Sequence, residues 1–234
     1  MPNAIVTGAT QGIGKVIAEK LLTEGFSVAI CGRSRTKLDA VLAEWQGMYP
    51  ESKILAITAD LGEKEQAYAF AEEVLAEFKT VDLLVNNAGS YLPGTIADEP
   101  DGLLEKMISG NLYSAYYLSR KILPAMIARQ CGHIFNMCSV ASLQAYPNGG
   151  SYSISKYALL GFSDNLRVEL RPHNIKVTSI CPGAVYTPSW DGSGVPPERI
   201  MESADIAAIV WNSYNLSPQA NVETIVLRPV KGDL

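Results

Sequence analysis

Thr7-Gly8-Ala9-Thr10-Gln11-Gly12-Ile13-Gly14 stands between a short apolar run, Ala4-Ile5-Val6-Thr7, and an amphipathic stretch over residues 13–24. The run reads as a strand and the stretch as a helix that Gly25 ends. Glycine permits a tight turn and brings backbone close to whatever lies against it. The helix that follows offers unpaired N–H groups and the positive end of its dipole, which together suit a phosphate. The spacing is Gly-x-x-x-Gly-x-Gly rather than the commoner Gly-x-Gly-x-x-Gly. As an isolated glycine cluster it could be a plain structural turn; its place between the first strand and first helix gives it weight.

The same alternation continues outward from this turn. Strands are expected at 27–31, 53–58, 81–85, 133–138, 176–180 and 224–227. Helices are expected at 36–48, 64–78, 103–129, 152–170 and 203–214. Pro124 is expected to kink or break the long stretch near its end. Residues 186–197 are rich in Gly, Pro and Ser and read as a loop. Alternating strands and helices imply an α/β fold, a doubly wound parallel sheet with helices on both faces, formed as one domain over residues 1–234. The strand runs are continuously apolar, as strands covered on both faces should be.

Ligands of such a sheet bind at the carboxyl ends of its strands. The second strand ends in Cys31-Gly32-Arg33-Ser34. An acid about twenty residues past the glycines would hold the hydroxyls of an NAD ribose. Gly32 occupies that place and Arg33 follows, and a guanidinium fork matches the oxygens of a 2′-phosphate. NADP(H) is therefore expected over NAD(H). Asp60-Leu61 closes the third strand, where the acid could accept from an adenine amino group or cap the next helix.

Tyr152 and Lys156 stand at i and i+4 near a helix start, on one face. An ammonium beside a phenol lowers the phenol's pKa, giving a group that can exchange protons near neutral pH. Ser139, thirteen residues earlier, falls at a strand end on the same sheet edge. Asn111 lies in the long helix, where its amide could bind a helix carbonyl or a water linking Lys156 to solvent. Each of these is ordinary alone; together, in order along the sheet edge, they point to a single constellation.

Taken together, these motifs resemble the short-chain dehydrogenase/reductase family in its single-domain branch, over nearly the whole chain. The resemblance implies a Rossmann-type sheet of about seven strands, ordered 3-2-1-4-5-6-7. It implies that Gly8, Thr10, Gln11, Gly12, Ile13 and Gly14 form the cofactor turn, and that Arg33, Ser34, Asp60 and Leu61 flank the adenosine. Asn87, Ala88 and Gly89 follow Asn86 beside the nicotinamide ribose, while Pro182, Gly183, Val185 and Thr187 resemble the segment holding the carboxamide. Asn111, Ser139, Tyr152 and Lys156 match the catalytic tetrad. Ser139 would polarise a substrate carbonyl, Tyr152 would give or take its proton, and Lys156 would bind the ribose and lower the Tyr152 pKa. Asn111 would support a water relay. Gln11 departs from those NADP-preferring relatives that carry a basic residue there, and the substrate loop, about 186–200, is short. The alternative reading is a non-catalytic NADP-binding sensor, which would have no need of Tyr152 and Lys156 together.

The substrate pocket is expected from Tyr91, Leu92, Val140, Ala141, Gln144, Tyr146, Ala184 and Trp190. These are mostly aromatic and apolar, and suit a small, largely apolar carbonyl compound. Tyr113, Tyr116, Tyr117, Leu159, Leu160 and Phe162 exceed what one sheet face can cover, so a homodimer or homotetramer is expected. The formal charge of −5 gives no overall attraction to nucleic acid or an anionic membrane. No apolar stretch nears the roughly 20 residues of a membrane span, and no basic leader precedes the first strand, so the expected location is the cytoplasm. Cys31, Cys131, Cys138 and Cys181 are scattered, and His133 and His173 are the only histidines, so no metal site is expected. All four thiols are expected to be buried and reduced.

Overall fold

The computed structural model describes residues 1–233, the side chain of Ser189 excepted. Seven strands are β1 (Asn3–Thr7), β2 (Ser27–Gly32), β3 (Ile54–Thr58), β4 (Leu83–Asn86), β5 (Gly132–Met137), β6 (Ile175–Pro182) and β7 (Thr224–Leu227). They form one parallel sheet in the order β3-β2-β1-β4-β5-β6-β7. The helices are α1 (Gly12–Thr23), α2 (Arg35–Met48), α3 (Lys64–Phe78), α4 (Leu103–Ile108), α5 (Ser114–Arg129), α6 (Gly150–Leu170) and α7 (Ser203–Tyr214).

The period-two alternation of each strand feeds two cores. Ala4 and Val6 of β1 and Val28 and Ile30 of β2 join Ile17, Leu21, Leu38, Trp45, Ile206 and Val210, under α1, α2 and α7. Ile5, Ala29 and Cys31 face the other way, onto Phe70, Val74, Leu118, Ile122, Leu166 and Leu170 of α3, α5 and α6. Both faces are thus sealed, which is why the strands read as unbroken apolar runs. No described helix is long and apolar enough to cross a membrane.

Three details differ from the expectations. The stretch over 103–129 is interrupted by a π-helical turn, Ser109–Tyr113, and Pro124 does not end α5, which runs on to Arg129. Helix α3 is capped at Glu63, with Asp60 three residues earlier, so Asp60 is not its N-cap. Cys31, Cys138 and Cys181 are buried, but Cys131 is exposed because it lies in the turn between α5 and β5.

Candidate functional site

The glycine turn joins β1 to α1. Gly8 and Gly12 adopt φ of +65° and +59°, where a side chain would be strained. At Gly14 space is the constraint: a Cβ would lie 2.4 Å from Asn87 Nδ2 and 2.6 Å from the Gly8 carbonyl oxygen. Gln11 is the N-cap of α1 and its side chain makes no cap hydrogen bond. The turn is laced to the end of β4. Thr7 Oγ1 accepts from the amides of Asn87 and Ala88, at 2.9 and 2.8 Å, and Asn87 Nδ2 donates to the Thr7 carbonyl at 2.9 Å. A tight glycine backbone leading into a helix N-terminus is a geometry that suits phosphate groups. Thr187 lies over it: a Cβ on Gly12 would meet Thr187 Cγ2 at 3.1 Å.

At the end of β2 a Cβ on Gly32 would stand 3.1 Å from Thr10 Cγ2, a tight contact. Arg33 is exposed, with Nη1 4.0 Å from Asp60 Oδ2. Ser34 caps α2 by accepting from the Lys37 amide, and Asp60 Oδ1 accepts from the Gly62 amide at 3.0 Å. Leu61 is buried. The sequence reading missed Lys37. Its Nζ donates to Gln11 Oε1 at 2.8 Å, so α2 brings a cation to the position where Gln11 supplies none. The available signal was Lys37's place in the first turn of a helix that starts beside the cofactor turn.

Ser139 caps a short 3₁₀ turn, Val140–Ser142. Its Oγ accepts from the Ala141 amide, and Ser142 Oγ accepts from the Ser139 amide. Tyr152, in the first turn of α6, stands beside Ser139, and the Tyr91 ring meets it edge-on with centroids 4.9 Å apart. Lys156 is buried one turn on, where Nζ donates to the Met137 carbonyl at 2.8 Å and lies 5.9 Å from the Tyr152 ring centre. Burial lowers the Lys156 pKa.

Two expectations need correction here. Tyr152 is held above the ordinary phenol range, not below it. Burial is the larger cause, and the neighbouring Ser139 hydroxyl offsets part of it. Lys156 spends a proton on Met137 rather than on the phenol. The Asn111 amide does not bind a helix carbonyl. Its Oδ1 accepts from the Ser90 amide at 2.8 Å, and its Nδ2 donates to Ser90 O and to Ser155 Oγ at 3.1 and 2.9 Å. Ser155 Oγ in turn donates to the Tyr152 carbonyl at 2.7 Å. The π turn aims Asn111 inward, and Gly89 makes room: a Cβ there would lie 2.7 Å from Asn111 Oδ1 and 3.7 Å from Lys156 Nζ.

The remaining expected residues scatter around this edge. Pro182 ends β6, and the Gly183 amide donates to Leu227 O at 2.8 Å. Val185 is buried and pairs with Met201, while Ala184 O accepts from the Met201 amide. Tyr91 and Gln144 are exposed, and Val140, Tyr146, Ala184 and Trp190 are half-buried. Ala141, at 1% exposure, packs inward and is not pocket wall. A cavity of about 500 Å³ lies between residues 94–96, residues 145–150 and the outer side of α6. Tyr146 is the member of the expected pocket set that borders it. No group of three or more metal-ligating side chains occurs among the described residues.

Residues 2–194 match the family described as short chain dehydrogenase. An uncharacterized oxidoreductase of Staphylococcus epidermidis is 30% identical over 227 residues, 97% of this chain and 96% of that one. An alcohol dehydrogenase from the archaeon Thermococcus sibiricus, solved with 5-hydroxy-NADP, superposes with a TM-score of 0.90 at 26% identity, covering 98% and 97% of the two chains. A metagenomic short-chain oxidoreductase in complex with NADP gives 0.85 at 32% identity, covering 98% and 97%. With its sheet order, glycine turn and clustered Ser, Tyr and Lys on one edge, the chain belongs to the short-chain dehydrogenase family of oxidoreductases.

Proposed function

We propose that this oxidoreductase interconverts a carbonyl and a secondary alcohol on a small, largely apolar substrate, using NADP(H), with Tyr152 as acid and base. The observation that carries the reading is the meeting of Tyr152, Ser139 and Lys156 at the carboxyl edge of the sheet, within one cluster beside the glycine cradle. A bound nicotinamide would supply or accept the hydride. Gly8, Gly12 and the start of α1 would hold its pyrophosphate, and Asn87, Lys156, Gly183 and Thr187 would hold the ribose and carboxamide. Ser139, fixed by its capping bonds, orients and polarises the carbonyl oxygen. Tyr152 passes its hydroxyl proton to that oxygen. The phenol, protonated at neutral pH, is available as that donor. Asn111, with its amide taken up by Ser90 and Ser155, serves proton return by fixing the turn beside Gly89 and Lys156.

Preference for NADP(H) is supported by Gly32 in place of an acid, by Arg33, and by Lys37 at Gln11. The neighbours solved with NADP and 5-hydroxy-NADP support it as well. The exposed Tyr113 and Tyr116, with Tyr117 and Phe162 packed on them, support pairing of α5 and α6 between copies.

The test is NADPH consumption by the purified protein across small ketones, aldehydes, 3-oxoacyl thioesters and quinones, with Tyr152→Phe alongside. Turnover that falls by roughly a hundredfold or more in the variant supports the mechanism. Turnover unchanged in the variant, or tighter binding of NADH than NADPH, overturns the corresponding half of the reading.

A further inference from the structure

Helix α6, which carries Tyr152 and Lys156, begins without a cap of its own. Its N-cap residue is Gly149, which has no side chain to offer. The cap comes instead from 52 residues away, out of the segment between β4 and α4. Glu99 Oε1 accepts from the Ser151 amide at 2.9 Å, and Oε2 accepts from the Ser151 hydroxyl. Both carboxylate oxygens are therefore spent on the residue immediately before Tyr152. A carboxylate at this end also faces the positive pole of a 21-residue helix.

The slot is built for this side chain. A Cβ on Gly150 would stand 2.0 Å from Glu99 Oε1, and a Cβ on Gly94 would stand 2.6 Å from Glu99 Cγ. Glycine at both positions lets the carboxylate thread to the helix. The backbone adds a parallel tie, from the Gly94 amide to Asn148 O at 3.1 Å.

The same segment is fixed at its other end by Asn111, which holds both backbone groups of Ser90. Between the two anchors lies Tyr91, whose ring rests on Tyr152. The loop is thus pinned to the π turn at its start and to α6 at its end, and the reacting phenol stands against the loop's own aromatic ring.

We propose that Glu99 is a positioning residue for the reaction: by capping α6 just ahead of Tyr152, it sets the phenol and the Tyr91 loop in fixed relation. The proposal rests on the reading of Tyr152 as the proton donor. Glu99 touches neither the cofactor turn nor the reacting atoms and acts through Ser151 and the loop.

The test compares Glu99→Ala, Glu99→Gln and Ser151→Ala with wild type and Tyr152→Phe. It uses NADPH with 2,3-butanedione or 4-nitrobenzaldehyde as probe carbonyls. Three quantities are read: kcat, NADPH affinity by fluorescence, and amide hydrogen exchange over residues 90–102 and 149–153. A displacement of about 1 Å at a reacting group costs up to about a hundredfold, so Glu99→Ala should lower kcat by about tenfold or more. NADPH affinity should stay within about twofold, because phosphate binding rests on the separate β1–α1 turn. Exchange should quicken in both segments. Glu99→Gln, whose amide oxygen still accepts from the Ser151 N–H, should recover most of kcat, and Ser151→Ala, which keeps that N–H, should fall between. An unchanged kcat in Glu99→Ala, a Gln variant as impaired as the Ala one, or NADPH affinity falling in step with kcat would overturn the proposal. The exchange arm decides without any substrate: unaltered exchange in both segments refutes the cap. Activity that survives Tyr152→Phe would refute the Tyr152 reading instead, while exchange still reports on Glu99.

Discussion

His133 sets up a pH dependence of stability that can be worked through from its contacts. The ring is 2% exposed in β5, stacked on Phe135 with centroids 4.0 Å apart. Thr178 Oγ1 donates to Val222 O at 2.6 Å, so toward His133 it must accept, and Nε2 at 2.8 Å is the protonated nitrogen. Nδ1 is buried and has no hydrogen-bond partner among the described residues. Adding a second proton would place a buried N–H and a charge where nothing receives them. Burial, with a smaller push from Lys176, accordingly lowers the pKa from 6.5 to about 3. The unfolded chain takes up this proton below about pH 6.5 and the folded chain does not. The contribution of neutral His133 is therefore complete above about pH 7 and is lost as pH falls, at about 1.4 kcal/mol per unit. Between pH 8 and pH 5 the loss comes to about 2 kcal/mol. Urea unfolding of wild type and His133→Gln at pH 8, 7, 6 and 5 measures it. The Gln amide keeps a donor for Thr178 and removes the titration, so the gap between the two proteins should narrow by about 2 kcal/mol over that range. Two profiles running parallel would refute the argument, because they would mean that folded His133 titrates near its ordinary value.

Other consequences are shorter to state. Gly89→Ala puts a methyl against Asn111 Oδ1, 2.7 Å away, and should cost about a hundredfold in kcat with a lowered Tm, read by steady-state kinetics and thermal melts. Lys37→Gln removes the cation at Gln11 and should weaken NADPH binding about tenfold while leaving NADH unchanged, as fluorescence titration of both nucleotides would show. Asn136→Ala removes one of the two partners of Asn86 Nδ2 and one of the two of Ser163 Oγ and should destabilise the protein by about 1–3 kcal/mol in urea, with the far-UV spectrum retained.

Much of the fold is readable because each strand answers to both cores. The unbroken apolar runs that mark β1, β2 and β4 exist only because helices cover both faces. Helices with one apolar stripe, such as α3 (Lys64–Phe78) and α7 (Ser203–Tyr214), fall where their periodicity puts them. The π turn at Ser109–Tyr113 left no such mark. It inserts one residue into a helix that is buried on several sides, so the apolar pattern continues across it. Pro124 misled for a related reason: a single missing N–H near the end of α5 does not outweigh the packing of Leu118, Ile122 and Met126. At the site, the local motifs were legible and the long-range ties were not. Tyr152 and Lys156 announce each other four residues apart. Lys37 and Gln11, or Glu99 and Ser151, meet only through the topology, across 26 and 52 positions. The Tyr152 pKa went the other way from the sequence expectation because spacing says nothing of burial, and burial is the larger influence on the phenol.

The buried amides at the end of β4 and β5 explain how so polar a site keeps its geometry inside an apolar sheet. Asn86 and Asn136 are direct partners in the β4–β5 register, and Asn86 Nδ2 donates to Asn136 Oδ1 at 2.8 Å. Asn86 Nδ2 also reaches Ser119 Oγ of α5, and Asn136 Nδ2 reaches Ser163 Oγ of α6, at 3.0 and 2.8 Å. A slip of one residue between β4 and β5 would put the two amides on opposite faces of the sheet and break the bond between them. A buried polar group that loses its partner costs about 1–3 kcal/mol, which apolar contacts alone would not impose, since one aliphatic pair replaces another at little cost. Asn87, which laces the glycine turn, comes one residue after Asn86, and Ser139 comes three after Asn136. The network therefore fixes the two points from which the cradle and the polar edge are measured. Through Ser163 it also ties in α6, seven residues beyond Lys156. The apolar runs hold the sheet together; this hydrogen-bonded set fixes the relative position of the strand ends that carry the glycine turn and Ser139.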